Sequence, residues 1–211
     1  MADYANHPRF GNRPRRTGLD VDPDFGQVHL HVNTRYFSKR QRTIARQYKI
    51  ELPEYENDGT GLIRGTAIPA DLSKQTPATI PVTHYYDVEK ICEDCKRRFI
   101  FFAEEQRYWY EELNFPLDAD CVRCYECRRR KQNIERTKQR YDALMSVAQR
   151  TETEELELNL CRLELVEAGL FTSEQLTKVR AFLNKFPDHR DAPDLRARVE
   201  AASKAAGKRG V

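Results

Sequence analysis

The sequence has no long hydrophobic run. None of its segments reaches 18 consecutive apolar residues, the length at which a membrane-spanning helix is considered. The first residues contain no apolar stretch typical of a secretion signal. We therefore expect a protein without membrane contact that stays in the reducing cytoplasm.

Net charge and size also limit the possible functions. The formal net charge is only +3 over 211 residues, which by itself indicates no nucleic-acid partner. Hydrophobic residues make up 39% and charged residues 33%. The chain therefore has room for one or two small domains rather than for a large catalytic core.

Motifs typical of enzymes are missing. The sequence contains no Gly-rich phosphate loop, no Gly-x-Ser-x-Gly nucleophile motif and no Cys–His pair within a catalytic signature. We therefore expect a protein without enzymatic activity.

Charge is unevenly distributed along the chain. The net charge is +6 over residues 1–50, −8 over residues 51–120 and +6 over residues 121–150. Residues 51–83 hold four prolines and three glycines, a composition typical of an extended linker that buries little. We predict a mobile basic arm and linker over residues 1–81.

Two short elements are predicted within this arm. Alternating apolar residues favour a strand over residues 27–32, with His29 and His31 on its solvent-facing side. Apolar spacing favours a helix over residues 38–48 with Ser38 as its N-cap. The two histidines have no acidic or cysteine partner nearby in sequence, so we interpret them as surface residues.

Regular structure is predicted again from about residue 82. An apolar strand covers residues 99–102, and a helix over residues 103–113 presents Phe102, Gln106, Trp109 and Leu113 on one stripe. Asn114, Phe115 and Pro116 end that helix.

The following part of the chain is predicted to be helical. Residues 117–168 contain neither glycine nor proline, and Thr151 with Glu154 forms the sequence signature of a capping box. One helix carries Leu156, Leu160, Leu163 and Val166 on its apolar face. We predict a helical segment over residues 134–205, with later helix starts at Thr172/Ser173 and at Asp191, and a tail over residues 206–211.

Four of the six cysteines form two Cys-x-x-Cys pairs, Cys92/Cys95 and Cys124/Cys127. In a reducing compartment such pairs indicate metal ligands rather than disulfides. Their spacing is typical of a tetrahedral four-thiolate Zn²⁺ site. A module over residues 82–133 buries too little apolar surface to fold alone, and zinc binding coupled to folding contributes roughly 10–16 kcal/mol. Four sulfur ligands leave no open coordination position, so the predicted ion is structural.

Cys121 offers an alternative second pair, because Cys121 and Cys124 also have the Cys-x-x-Cys spacing. We favour Cys124/Cys127, since it repeats the first pair's pattern of Cys-x-x-Cys followed directly by basic residues. In the alternative, Cys121 and Cys124 bind and Cys127 is spare. The sixth cysteine, Cys161, is predicted to be a small core residue.

The segment over residues 84–132 carries a longer pattern: Cys-x-x-Cys, an apolar strand, Glu-Gln at a helix start, a Phe-Pro turn and Arg-Cys-x-x-Cys-Arg. It resembles a bacterial zinc-ribbon family with a treble-clef-type arrangement. The resemblance implies zinc binding through Cys124 and Cys127 as the second pair, and it assigns no reaction. Two departures are Lys96, where the family often has glycine, and the additional Cys121. The matching positions are Cys92, Cys95, Phe99, Glu105, Gln106, Phe115, Arg123, Cys124, Cys127 and Arg128.

Each cysteine pair is followed by a run of basic residues. The first basic run is Lys96 to Arg98 and the second is Arg128 to Lys131. A zinc ion on four thiolates leaves a net charge of −2, which nearby cations relieve. The two runs supply seven positive charges, so about five remain for phosphate groups of RNA or DNA, joined by Arg136, Lys138 and Arg140. The predicted nucleic-acid contacts are Arg97, Arg98, Arg128, Arg129, Arg130 and Lys131.

Some neighbouring side chains favour nucleic-acid binding, and others oppose it. Tyr108 and Tyr110 supply rings for stacking on bases, whereas Trp109 is expected in the core. Acidic side chains would repel a phosphate backbone if they share that surface. They are Glu104, Glu105, Glu111, Glu112, Asp118 and Asp120.

The sequence therefore predicts an α+β protein in which a small zinc ribbon or treble clef precedes a helical segment and follows a poorly ordered basic N-terminal arm. Its predicted function is a non-enzymatic, zinc-binding module that contacts RNA or DNA. The alternative is a protein–protein adaptor in which helices within residues 151–205 dock a partner and the zinc ion only braces the scaffold.

Overall fold

The computed structural model describes residues 4–19, 39–49, 62–76, 82–187 and 192–209. This part contains six α-helices: α1 Lys39–Gln47, α2 Ala103–Arg107, α3 Tyr125–Met145, α4 Glu152–Glu167, α5 Gln175–Lys185 and α6 Ala192–Arg209. A π-helix, Tyr108–Glu112, continues α2. Two antiparallel strand pairs are β1 Ile68–Pro69 with β2 His84–Tyr85, and β3 Val88–Ile91 with β4 Arg98–Phe101. The mixed α+β class is confirmed.

The chain divides into two compact units, one ending at Arg128 and the other beginning at Arg129. The helix α3 crosses this boundary. None of the described helices combines the length and the apolar character that crossing a membrane requires.

The hairpin of β3 and β4 is the centre of the first unit. The apolar strand predicted over residues 99–102 is present as β4. Phe99 and Phe101 pack in one cluster with Val88 and the buried cysteines, whereas Ile100 packs with Phe102 and Ile63 in another. Because both faces of β4 are covered, the strand is apolar at successive positions rather than at alternate ones.

The structure differs from the predicted arm and linker over residues 4–19 and 62–76. The backbone amide of Ala5 donates to the carbonyl of Arg98 at 2.7 Å, and that of Ile63 to the carbonyl of Asp87 at 2.9 Å. Ala5 and Ile63 are buried. These stretches supply single apolar residues to the core without a period of 2 or 3.6, so pattern analysis misses them.

Helix α1 lies where the sequence predicted a helix, and Ile44 and Ala45 pack against Ile91. Tyr48, the last residue of the helix that the sequence predicted, follows α1 and is 49% exposed. The predicted cap Ser38 and the predicted strand with His29 and His31 lie outside the described residues.

The helix predicted over residues 103–113 is present, but its second half is the π-helix. A wider turn changes which side chains share a face. Tyr110 is therefore buried, whereas Leu113, predicted on the inner stripe, is 43% exposed. Asn114 follows with a φ of 54°, in the left-handed region where Asn is enriched.

In the second unit, α4 begins with the predicted capping box. The Thr151 hydroxyl accepts from the Glu154 amide at 3.3 Å, and the Glu154 carboxylate accepts from the Thr151 amide at 2.9 Å. Gly169, with a φ of 77°, follows the helix end. Helix α5 begins two residues after Ser173, and the predicted cap Asp191 lies outside the described residues.

Helix α4 is buried on two sides. Leu163 and Val166, which were predicted on the apolar face of this helix, pack against α5 and α6. Leu158 and Cys161 pack against Leu144 of α3. Of these two faces, only the first was predicted from the apolar spacing along the helix. The prediction that Cys161 is a core residue is confirmed.

Asp87 connects three stretches of the first unit. Its side chain is fully buried, and its carboxylate accepts from the amide of Arg15 at 2.6 Å and from the amide of Ala103, at the start of α2, at 2.8 Å. Burial raises the pKa of this carboxyl to about 6, because removal from water disfavours the charged form.

This pKa predicts a pH dependence of stability. The folded state binds the Asp87 proton more tightly than the unfolded state does, so the contributed stability is full below about pH 4 and is lost as the pH rises through 6. Between pH 5 and 7.5, the wild type should lose about 1.4 kcal/mol of unfolding free energy relative to Asp87→Asn. Urea unfolding of both proteins with zinc present measures this difference, and equal losses in the two would contradict it.

Candidate metal centre

The first cysteine pair lies in the turn that joins β3 to β4. The amide of Cys92 donates to the carbonyl of Arg97 at 2.9 Å, and the amide of Lys96 donates to the carbonyl of Cys92 at 3.0 Å. Lys96 has a φ of 62°, in the left-handed region that glycine adopts most readily. A glycine at this position would adopt the same backbone conformation without the steric cost that a side chain adds.

The second cysteine pair lies at the start of α3. Cys124 immediately precedes the helix and Cys127 is in its first turn. The amide of Glu93, in the first turn, donates to the carbonyl of Val122 at 3.0 Å. This hydrogen bond ties the two cysteine-bearing loops together.

The structure brings four sulfur atoms together. The Sγ atoms of Cys92, Cys95, Cys124 and Cys127 lie within 4.8 Å of one another, and those of Cys95 and Cys124 are 3.8 Å apart. Sulfur atoms about 2.3 Å from a tetrahedral zinc ion lie about 3.8 Å from each other. Four converging thiols form a donor set that suits zinc, so these residues fit a structural zinc ion with no open position for substrate.

Cys121 does not belong to this group of the described residues. Its thiol donates to the carbonyl of Arg123 at 3.3 Å, and burial raises its pKa to about 12. Of the two second pairs that the sequence left open, the geometry favours Cys124/Cys127.

Hydrogen bonds stabilise negative charge on the sulfur atom of Cys92. The bond that the Cys124 thiol donates lowers the pKa of Cys92 to about 4, with help from the amides of Cys95, Cys124 and Asp94. Hydrogen bonds to Cys95 and to Glu126 raise the pKa of the Arg97 guanidinium. The first basic run thus partly compensates the charge of the thiolates.

The other basic residues near the cysteines also pair within the fold. Arg98 donates to Glu89 at 3.3 Å. Arg128 donates to the buried Glu105 and lies 4.8 Å from the ring centroid of Trp109. Three of the predicted nucleic-acid contacts, Arg97, Arg98 and Arg128, are therefore held by carboxylates. The remaining three, Arg129, Arg130 and Lys131, are exposed on α3.

The acidic residues that support the metal centre were not predicted from the sequence. Glu105 holds Arg128, Glu126 holds Arg97, and Asp94 accepts from Arg123 at 3.0 and 3.1 Å. The available signal was the net charge of −8 over residues 51–120. It indicates that carboxylates could pair with the basic runs, but it does not indicate which residues pair.

Comparison with known proteins agrees with this site. A family model described as "Probable treble clef domain" matches residues 86–136, which overlap the predicted module. No curated protein and no solved structure matches the chain. Together with the four gathered sulfur atoms, the match identifies residues 86–136 as a treble clef domain with a four-cysteine metal site.

Proposed function

We propose that the protein is a non-enzymatic module in which the zinc-held treble clef anchors a nucleic-acid-binding helix. The observation that carries the proposal is the composition of α3. Residues 128–140 contain seven Lys or Arg residues and one acidic residue. Most side chains in this stretch are exposed, so they can meet the phosphate groups of RNA or DNA.

The basic residues repeat at helical intervals. Arg129 and Arg136 are seven residues apart, as are Lys131 and Lys138. Seven residues make about two turns and about 10 Å of rise, so each pair lies along one side of the helix. Lys131, Arg136 and Lys138 make no ion pair within the described residues, whereas Arg140 pairs with Glu157 at 2.5 Å.

A bound zinc ion would fix the start of this helix, since Cys127 lies in the first turn of α3. Cys124 precedes the helix directly, and the amide of Arg128 donates to its carbonyl at 3.0 Å. The zinc ion therefore has a structural role in the proposal and takes no part in a reaction.

The adaptor alternative receives less support. The helices α4, α5 and α6 bury their apolar faces against one another, with Leu163, Val179 and Leu195 in one cluster. A partner helix would need an apolar face that is still available. In the described part of the second unit these faces are already used inside the fold.

Salt dependence tests the proposal. We expect Lys131→Gln/Lys138→Gln to weaken binding to RNA or DNA and to reduce the slope of log affinity against log salt by about 1.4–1.8, since each lost phosphate contact removes about 0.7–0.9. Fluorescence anisotropy with labelled oligonucleotides over a salt series measures this slope.

The double variant Lys178→Gln/Lys204→Gln is the matched control, because it removes two exposed lysines from α5 and α6. Its slope should equal that of the wild type. Equal slopes in both double variants, or binding that is insensitive to salt, would contradict the proposal. Capture of a protein partner by nuclease-treated wild type, together with absent oligonucleotide binding, would support the adaptor instead.

A further inference from the structure

A second basic surface lies in the first unit, beside the first cysteine pair. Helix α1 packs there through Ile44 and Ala45 against Ile91, the residue that precedes Cys92. The sequence of α1 contains four basic residues and no acidic one. The helix beside the cysteine-bearing turn thus has a basic sequence.

An exposed aromatic ring lies within this surface. Tyr48, just after α1, is 49% exposed, and the ammonium group of Lys96 lies 4.9 Å from its ring centroid. Arg46 and Lys49 are also exposed. The backbone amide of Tyr48 donates to the carbonyl of Ile44 at 3.0 Å. This hydrogen bond holds the backbone of Tyr48 against the end of α1.

We propose that Arg46, Tyr48, Lys49 and Lys96 form a contact surface for single-stranded nucleic acid. The ring of Tyr48 stacks on an unpaired base, and the three cations meet the flanking phosphates. A flat ring among positive charges is the combination by which proteins bind single strands, because every base has a face to stack. In a duplex the bases are already stacked on each other. The inference rests on the proposed function. It adds that the nucleic acid is single-stranded and that a second surface of the protein contacts it.

Tyr108 and Tyr48 differ in the charge of their neighbouring side chains. Tyr108 is 52% exposed, a similar fraction, but Glu104, Glu111 and Glu112 lie within about one turn of it. Carboxylates at that distance repel a phosphate backbone. Tyr108 therefore offers a control of the same side chain and exposure in an acidic setting.

The test uses the full-length, zinc-loaded protein with a labelled 20-nucleotide oligouridine and a duplex of equal length. Tyr48→Ala should weaken binding to the single strand by about fivefold or more, the usual effect of removing one stacked base contact. Tyr48→Phe keeps the ring and should bind as the wild type does. Tyr108→Ala should also bind normally, and Lys49→Gln should reduce the salt slope by about 0.7.

The outcomes separate this inference from the function on which it rests. If Lys131→Gln/Lys138→Gln weakens binding while Tyr48→Ala and Lys49→Gln do not, only the Tyr48 surface is overturned. Equal weakening of single-strand and duplex binding by Tyr48→Ala also overturns it. Absence of binding by the wild type to either oligonucleotide overturns both proposals. If Tyr48→Ala loses its zinc ion or no longer has the circular dichroism spectrum of the wild type, the test uses Arg46→Gln and Lys49→Gln instead. Each should then reduce the slope of log affinity against log salt for the single strand, and unchanged slopes would overturn the inference.

Discussion

Cys127→Ser should purify without bound zinc and with an unfolded treble clef, whereas Cys121→Ser should keep one zinc ion per chain. Cys127 contributes one of the four converging sulfur atoms, while the thiol of Cys121 is held by the carbonyl of Arg123. Structural zinc sites contribute roughly 10–16 kcal/mol to the folding of small domains. Loss of one ligand therefore removes more free energy than a domain of this size has to spare.

Metal analysis by mass spectrometry and circular dichroism measure the two results. Cys161→Ser is a further control, because Cys161 is buried among residues of the second unit and is not one of the four converging cysteines. It should retain zinc. Loss of zinc from Cys121→Ser with retention by Cys127→Ser would establish the other second pair and overturn the ligand assignment.

Glu105→Ala should lower the unfolding free energy of the zinc-bound protein by about 3–5 kcal/mol, the usual result of removing one partner of a buried ion pair. Glu105 is 7% exposed and accepts from Arg128. Its carboxylate also lies 3.6 Å from the imidazole Nε2 of His7. Without this carboxylate, the mostly buried guanidinium of Arg128 remains without its acidic partner, directly after the ligand Cys127.

The neighbouring Glu104→Ala supplies the comparison. Glu104 pairs with Arg15 at 3.0 Å, and the Arg15 side chain is 49% exposed. Exposed pairs contribute only about 0–1 kcal/mol, so this variant should unfold nearly as the wild type does. Urea unfolding at constant free zinc measures both variants. A loss below about 1 kcal/mol for Glu105→Ala, similar to that of Glu104→Ala, would show that Arg128 does not depend on this carboxylate.

The features that could be predicted from the sequence are carried by residues close together in the chain. Two Cys-x-x-Cys spacings indicated the four ligands, and Thr151 with Glu154 indicated the start of α4. Both signals are local, because the ligand loops and the capping box follow from backbone geometry over four residues. The same holds for the strand β4 and its apolar run.

The features that were missed depend on contacts between distant residues. Ala5 bonds to Arg98 and Ile63 to Asp87, and neither lies in a periodic pattern. The π-helix turned Tyr110 inward and Leu113 outward, which a regular helical spacing does not anticipate. Long-range partners such as these are set by packing, which local propensity does not encode.

Zinc K-edge X-ray absorption on the purified, reduced protein tests the central claim most directly. We predict one zinc ion surrounded by four sulfur atoms at about 2.3 Å, supplied by Cys92, Cys95, Cys124 and Cys127. A shell containing nitrogen or oxygen ligands, or a protein that is fully folded with no metal bound, would contradict the account.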